Sequence, residues 1–276
     1  MHPFLFEIAG FKVPSYPVMM ALGYVGALWA VMRLTSSKSL EGVKVDRWQA
    51  WDLFIVMLVS SIIGAKIGHT LFEAPGHERA DGTTIQSLAE LLQEDPLHWL
   101  RLAEGGYVWY GGMIGALLCA VIYFRRRPQL DAWQYSDMFT PAIMMGAFIG
   151  RLGCFMAGCC YGQATDASWG VQFPTSKVHV HPTQLYDSFI ALCLFALLFW
   201  RFDRRKFSGE SIALLLICYP LLRASTEFLR GDADRGSFGA LSTSQTLSIP
   251  LLIIGIGLYV WRRKVGQISN AKVEAA

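Results

Sequence analysis

The chain has 276 residues, of which 53% are hydrophobic and 16% are charged, and its net charge is +3. A soluble domain usually carries about 25% charged residues, so this composition argues against a soluble protein. The cations are spread along the chain rather than gathered in one basic patch, which argues against a nucleic-acid partner.

Seven apolar runs follow one another along the chain. A membrane-spanning helix needs roughly 20 mostly apolar residues, and suitable runs lie at about 16–34, 51–73, 106–124, 133–157, 183–200, 210–229 and 245–261. The first run lacks a basic flank before it and a small-residue cleavage site after it, which predicts a retained span and not a signal peptide. The predicted fold is therefore an all-α polytopic membrane protein of about seven transmembrane helices. We expect one domain over 1–265 and a short polar cytoplasmic tail over 266–276.

Basic residues alternate between the two sides of these runs. The segments after the first, third, fifth and seventh runs hold fifteen Lys and Arg residues, and the opposite segments hold six. Cytoplasmic loops carry the excess of Lys and Arg in membrane proteins. The pattern predicts an N-terminus outside the membrane and a C-terminus in the cytoplasm.

Three further cations, Lys66, Arg151 and Arg223, lie inside the predicted spans. A cation in the bilayer costs at least about 2.5–3.5 kcal/mol, so each is a candidate functional residue. Counting along each run places all three roughly 9–10 Å below the outer boundary. This common depth favours a pocket for an anionic lipid headgroup, with arginine suited to bind two phosphate oxygens at once. Side chains that only reach up to the interface are the alternative.

Polar side chains accompany these cations near the outer face. Tyr219, Arg223 and Glu227 are spaced by four residues and therefore share one helix face. A purely structural pair of Arg223 with Glu227 would explain the same spacing. Tyr110 opens the third run and His181 precedes the fifth. An interfacial aromatic residue and an ordinary surface histidine are the simpler interpretations of those two.

Three of the six cysteines are clustered at the outer end of the fourth run. Cys154, Cys159 and Cys160 follow a CxxxxCC pattern, which lacks the separated pairs typical of zinc sites, so we predict no metal. A disulfide from Cys154 to either neighbour, a reactive thiol, and simple packing remain open. The other three cysteines lie within apolar runs, where small core residues are expected: Cys119, Cys193 and Cys218.

Six segments together resemble the bacterial prolipoprotein diacylglyceryl transferase family. The matching segments, in chain order, are GAKIGHTLFE (64–73), GGYVWYGGMIG (105–115), GRLGCFMAGCCYG (150–162), HPTQLYDS (181–188), YPLLRASTEFLRGDAD (219–234) and LSTSQTLSIP (241–250). The likeness covers most of the chain, and the combination of these motifs is specific although each alone is weak.

The resemblance implies a multi-pass enzyme of the bacterial inner membrane whose active site faces the outer leaflet. Such an enzyme moves diacylglycerol from phosphatidylglycerol to the lipobox cysteine thiol of prolipoproteins and releases glycerol phosphate. The implied partners are phosphatidylglycerol, prolipoprotein signal peptides and membrane lipid, with no nucleic acid and no cofactor.

The resemblance also assigns candidate site residues. Arg151 and Arg223 match the family's essential arginines and would hold the phosphate as catalytic groups, with Tyr110 or His181 assisting proton removal. The family carries histidine at the position of Tyr110, and asparagines and an acidic residue at Cys154, Ala157 and Cys159. The resemblance adds Tyr16, Tyr219, Glu227, Arg230 and Gly162 as expected substrate-binding residues, and the common depth of the cations adds Lys66.

Two other functions fit the same residues. A related lipid-headgroup transferase could use another acceptor, with Cys159 or Cys160 as a transient nucleophile. A non-catalytic binder or transporter of anionic lipid could use the cations as an anion pathway. Transporters often contain matching repeats with interrupted helices, and no such repeat is evident in this sequence.

Overall fold

A computed structural model describes residues 4–8, 11–37, 40, 45–72, 93, 106–174, 176–230, 237–238 and 241–274. Within them lie seven long α-helices: α1 (Ser15–Leu34), α2 (Arg47–Phe72), α3 (Trp109–Arg126), α4 (Ala132–Ala157), α5 (Thr183–Arg201), α6 (Glu210–Glu227) and α7 (Thr243–Glu274). Each corresponds to one predicted apolar run. The helix α7 continues through much of the segment predicted as a polar tail.

Five of the seven helices are long and apolar enough to cross a membrane, namely α1, α2, α4, α5 with its short extension, and α7. Large apolar side chains on them face outward, as expected in lipid. The helix α6 carries Glu210, Arg223 and Glu227, and α3 ends in Arg125 and Arg126, which lowers the hydropathy of both. The chain is thus an all-α membrane protein, and the exact number of spans and their orientation stay predictions.

Two short antiparallel hairpins add to the helices. Strand β1 (Phe4–Ile8) pairs with β2 (Phe11–Pro14), which leads directly into α1, and β3 (Ser237–Phe238) pairs with β4 (Leu241–Ser242), which leads into α7. The apolar runs do not predict either hairpin, because strands of two to five residues leave no clear periodicity in the sequence.

The described residues divide into two compact units. The larger contains residues Met1–Val45 and Ala132–Ala276, and the smaller contains Asp46–Asp131. In the larger unit α4 packs against α1 and α5, and α6 packs against α7. Its core includes buried residues of α4, α5 and α6, such as Met144, Leu194 and Leu215.

A buried carboxylate fixes the start of α6 in the larger unit. Asp137 on α4 accepts hydrogen bonds from the backbone N–H groups of Gly209, Ser211 and Ile212, at 2.7, 2.9 and 3.2 Å. These N–H groups have no partner within the helix. Asp137 also lies 3.6 Å from the guanidinium of Arg205. Asp137 therefore caps the N-terminus of α6 and fixes where this helix begins. Arg223 lies near the other end of the same helix.

The smaller unit is built on a close crossing of α2 and α3. Glycines spaced by four residues face each other, with Gly64 and Gly68 on α2 and Gly111 and Gly115 on α3. A Cβ atom on Gly111 would overlap the carbonyl oxygen of Gly64. Small residues in this spacing let two membrane helices approach with their backbones in contact.

Because there is no room at this crossing, Gly111→Ala is expected to separate the helices and to lower the thermal unfolding temperature of the purified chain by several degrees. The matched control is Gly257→Ala on α7, where an added Cβ meets no atom within 4 Å. Differential scanning fluorimetry in detergent compares the two. Equal unfolding temperatures for both variants would contradict the close crossing.

Candidate functional site

A single carboxylate joins two arginines in the larger unit. Asp187 on the first turns of α5 lies 3.3 Å from Arg151 on α4. The same carboxylate oxygen lies 3.5 Å from Arg230, which directly follows α6. The side chain of Asp187 is only 7% exposed and that of Arg230 is 2% exposed. Two cations from different parts of the chain therefore share one buried anion.

The third arginine is linked to this pair through a hydroxyl group. Arg223 forms an ion pair at 2.5 Å with Glu227, one turn further along α6. It also donates a hydrogen bond of 3.1 Å to Thr226, whose hydroxyl lies 2.9 Å from the second oxygen of Asp187. We call Arg151, Arg223, Arg230, Asp187 and Glu227 the arginine network.

The network contains three guanidinium groups and two carboxylates. Burying cations is costly unless anions accompany them, and Asp187 and Glu227 supply anions within the network. The Arg151 side chain is 25% exposed, compared with 9% for Arg223 and 2% for Arg230. Arg151 is therefore the guanidinium that a molecule outside the network reaches most easily.

The loop after α4 holds Arg230 in place. Gly162 and Arg230 form an antiparallel backbone bridge, and the neighbouring Gln163 donates through its side chain to the Arg230 carbonyl at 2.9 Å. A Cβ on Gly162 would overlap the carbonyl of Leu229 and lie 2.8 Å from the Cβ of His181. Gly162 is thus required for packing, and its predicted contact with substrate stays a prediction.

The end of α4 brings the three clustered cysteines together. Gly158 adopts a left-handed conformation with φ of +75°, and the N–H groups of Gly158 and Cys159 bond to the carbonyls of Phe155 and Cys154. This is a Schellman motif, which places the residue two positions past the helix end against the last turn. Cys160 has φ of +65° and also turns back. The Sγ atoms of Cys154, Cys159 and Cys160 all lie within 4.8 Å of one another.

The cysteines just beyond α4 have shifted acidity. Hydrogen bonds from Cys154 and Cys159 lower the pKa of the Cys160 thiol, and the guanidinium groups of Arg230 and Arg151 lower it further. The hydrogen bond with Cys154 and burial raise the pKa of the Cys159 thiol. The cluster therefore stabilises a thiolate at Cys160, with the neighbouring thiols as donors. All three cysteines are free thiols, without a disulfide.

His181 contacts the loop beside the network. Its Nδ1 lies 3.2 Å from the hydroxyl of Tyr186, which accepts a hydrogen bond of 2.9 Å from Trp169. Its backbone carbonyl accepts from Gly162 at 2.8 Å. The role of His181 as a proton acceptor, predicted from the sequence, stays a prediction.

The two predicted tyrosines of the larger unit lie close to these groups. Tyr16 at the start of α1 packs beside Gly153, where an added Cβ would lie 3.4 Å from its ring, and it interacts electrostatically with the three clustered cysteines. Tyr219 on α6 interacts electrostatically with Arg151. Of the predicted substrate-binding set, Tyr16, Tyr219, Glu227, Arg230 and Gly162 thus lie around the arginines and the cysteines.

Lys66 and Tyr110 belong to the smaller unit. Lys66 is 1% exposed, and its ammonium lies 5.9 Å from the ring centroid of Tyr107. Tyr110 on α3 is 43% exposed and packs edge-to-face with Trp109. The roles assigned to both residues from sequence stay predictions.

Asp187 and Thr226 are central to the arginine network but were not among the candidate site residues. A carboxylate at the start of an apolar run is as costly as an arginine, so Asp187 carried a signal that could have been used. Thr226 carried none, because threonine is common in membrane helices and only the folded chain shows its two partners.

Comparison with known proteins shows the family to which this chain belongs. The model of the prolipoprotein diacylglyceryl transferase family matches residues 3–261. A phosphatidylglycerol–prolipoprotein diacylglyceryl transferase of Clostridium tetani is 33% identical over 94% of this chain and 97% of that protein. A second enzyme of this name from Clostridium perfringens is 31% identical over 92% of each chain. A third enzyme of this name, from Pseudoalteromonas translucida, is 29% identical over 95% of this chain and 93% of that protein. The chain therefore belongs to the prolipoprotein diacylglyceryl transferase family.

Proposed function

We propose that this chain transfers the diacylglyceryl group of phosphatidylglycerol to the cysteine thiol of a prolipoprotein. The names of the similar proteins give both substrates and the group transferred. The observation that carries the proposal is the arginine network, in which three arginines from different parts of the chain meet around two carboxylates. Guanidinium groups fixed in this way suit the oxygens of a phosphodiester headgroup, because each planar fork can bind two of them.

The chemistry requires charge stabilisation at the phosphate. The acceptor sulfur attacks a glycerol carbon, the carbon–oxygen bond to the phosphate breaks, and glycerol phosphate departs with that electron pair. Negative charge grows on the departing phosphate during this step. Arginines already fixed around it stabilise the transition state more than the bound lipid.

Each member of the proposed site has a distinct task. Arg151, the most accessible guanidinium, contacts the phosphate, and Arg223 contacts it beside Tyr219. Arg230 and Asp187 act as positioning residues, since they fix Arg151 and the loop that follows α4. Glu227 orients Arg223, and Tyr16 lines the space next to the cysteines. The proton of the acceptor thiol is taken up by His181, the candidate proton acceptor in the larger unit.

The proposed enzyme acts at the outer face of the bacterial plasma membrane. The excess of Lys and Arg in alternate loops supports this orientation. Arg151 and Arg223 lie within the last two turns of α4 and α6, and Arg230 directly follows α6. With the basic loops in the cytoplasm, these helix ends lie in the outer leaflet, where exported prolipoproteins and phosphatidylglycerol are both accessible.

Complementation tests the function in the cell. In a bacterial strain depleted of its own transferase, the parent chain should restore growth, whereas Arg223→Ala should not, because the phosphate loses a fixed donor. The matched control is Arg204→Ala, an exposed arginine that contacts Trp200 and should restore growth. Expression is equalised by immunoblot. Failure of the parent chain to support growth at matched expression would contradict the proposed function.

A further inference from the structure

The three thiols at the end of α4 form a compact cluster that the transfer chemistry above does not use. We propose that Cys154, Cys159 and Cys160 bind one zinc ion as a three-thiolate site, and that the fourth zinc position takes the thiol of the acceptor protein. The second part rests on the proposed function, whereas the metal site itself does not.

The geometry suits a metal that uses all three thiols. Zinc binds thiolates at about 2.3 Å in tetrahedral arrangement, which separates the sulfurs by about 3.8 Å. The Sγ atoms of Cys154, Cys159 and Cys160 already lie within 4.8 Å of one another, so small side-chain rotations bring them to that spacing. A disulfide would join two of these sulfurs and leave the third without a function.

The backbone that carries the cluster is held by side chains from other parts of the chain. The carbonyl of Cys159 accepts a hydrogen bond of 2.6 Å from Gln184. The carbonyl of Cys160 accepts from Thr183 at 3.0 Å and from Arg230 at 3.3 Å. Such supporting contacts fix the direction of metal ligands and are typical of built metal sites. The thiols therefore converge on a prearranged turn, although its sequence spacing differs from common zinc motifs.

The surrounding charge suits an anionic zinc–thiolate centre. Three thiolates and one Zn²⁺ ion sum to a single negative charge, and binding of a fourth thiolate adds another. Arg151 and Arg230 both interact electrostatically with Cys160 and offset this charge. Thiolate ligands select zinc or copper(I), and zinc fits a group transfer in which nothing is oxidised or reduced.

An open zinc position would supply the nucleophile that the reaction needs. Zinc sites with three protein ligands keep a fourth position for water or substrate, and a thiol bound to zinc loses its proton. The acceptor thiol would pass its proton to the proton acceptor proposed above and bind as a thiolate. Its sulfur then forms a bond to the glycerol carbon while the carbon–oxygen bond to phosphate breaks, and the thioether product leaves the zinc. Cys160 lies next to Arg230 and Arg151, so both reacting groups would meet there.

Metal content tests the site without any assay of transfer. The full chain, purified in lipid nanodiscs after incubation with zinc sulfate, should retain one zinc per chain by inductively coupled plasma mass spectrometry. Cys154→Ser and Cys160→Ser should lose it, and Thr183→Val should bind zinc about 10- to 100-fold more weakly. Cys193→Ala, which alters an exposed cysteine on α5, is the control and should keep the metal. Unfolding temperatures confirm that each variant is folded.

Retention of less than one zinc by the folded parent, or equal retention in Cys154→Ser, Cys160→Ser and Cys193→Ala, would overturn the site. Mass spectrometry after thiol alkylation, showing a disulfide within the cluster of the chain isolated from cells, would also overturn it. If the cluster bound copper(I) and excluded zinc, the choice of zinc as the metal would be overturned.

Cobalt(II) in place of zinc tests the fourth position. Titration of the cobalt-loaded chain with a lipobox peptide should strengthen the thiolate-to-cobalt absorption band, and the same peptide with serine for its cysteine should not change the band. An unchanged spectrum with bound peptide would overturn acceptor binding at the metal. A changed spectrum without any diacylglyceryl product would leave the zinc proposal standing and count against the proposed transferase function.

Discussion

Arg151→Ala is expected to lower the rate of diacylglyceryl transfer by about 10²- to 10³-fold, the usual cost of removing one fixed donor from a developing negative charge. Arg151 is the most exposed arginine of the network, and its partner Asp187 keeps a second arginine, Arg230, in the variant. The variant should therefore lose transfer activity while its folded state stays stable. Release of glycerol phosphate from phosphatidylglycerol in nanodiscs measures the rate.

Two further variants make this result specific. Arg151→Lys keeps the positive charge but not the planar fork that binds two oxygens, so its rate should fall between those of the parent and Arg151→Ala. Arg204→Ala, outside the site, should match the parent. If Arg151→Ala transferred the diacylglyceryl group at the rate of the parent chain, Arg151 would not be a residue that stabilises the transition state.

Asp187→Asn is expected to have the largest effect on stability, about 3 kcal/mol or more, because it removes the anion shared by two cations. Arg230 is 2% exposed and its charge would become partly uncompensated. The same change weakens the link through Thr226 to Arg223, so transfer should fall together with stability. Urea or thermal unfolding in detergent gives the stability, and the phosphate-release assay gives the rate.

Asp52→Asn is the matched control for the loss of an aspartate charge. Asp52 pairs with Arg127 at 3.3 Å, but the two side chains are 49% and 39% exposed. Exposed pairs of this kind contribute about 0–1 kcal/mol. Similar losses of stability in Asp187→Asn and Asp52→Asn would show that Asp187 is not a buried junction between the arginines.

The helices could be predicted because a membrane imposes one strong rule on the sequence. Every backbone polar group in the hydrocarbon needs an internal partner, so each long apolar run becomes a helix and the seven observed helices follow the seven runs. The two hairpins were missed because they are short. The cations in the spans were equally visible, since a charge in an apolar run is rare and costly.

The connections between the site residues could not be predicted. Arg151, Asp187 and Arg230 are far apart in sequence, and nothing in their local spacing shows that one carboxylate joins both arginines. The expected pair of Arg223 with Glu227 was visible, because both lie on one helix face. Contacts within a helix follow from its period, whereas contacts between helices depend on packing.

The clustering of the three thiols could not be predicted from their spacing. The CxxxxCC pattern lacks the form of a zinc site, yet the left-handed Gly158 turns Cys159 back against Cys154 and the left-handed Cys160 completes the cluster. The glycine after a predicted helix was a signal for this turn. The turn expected after this helix end indicates that the thiols meet, whereas the spacing of the cysteines in the sequence does not.

Mass spectrometry of a lipobox peptide is the most direct test of the account. The purified chain, incubated with phosphatidylglycerol and the peptide, should add one diacylglyceryl group to the peptide's cysteine, and the Arg151→Ala chain should yield far less of this product. A peptide that keeps its original mass with the folded parent chain, or equal product from both chains, would contradict an enzyme that works through this arginine.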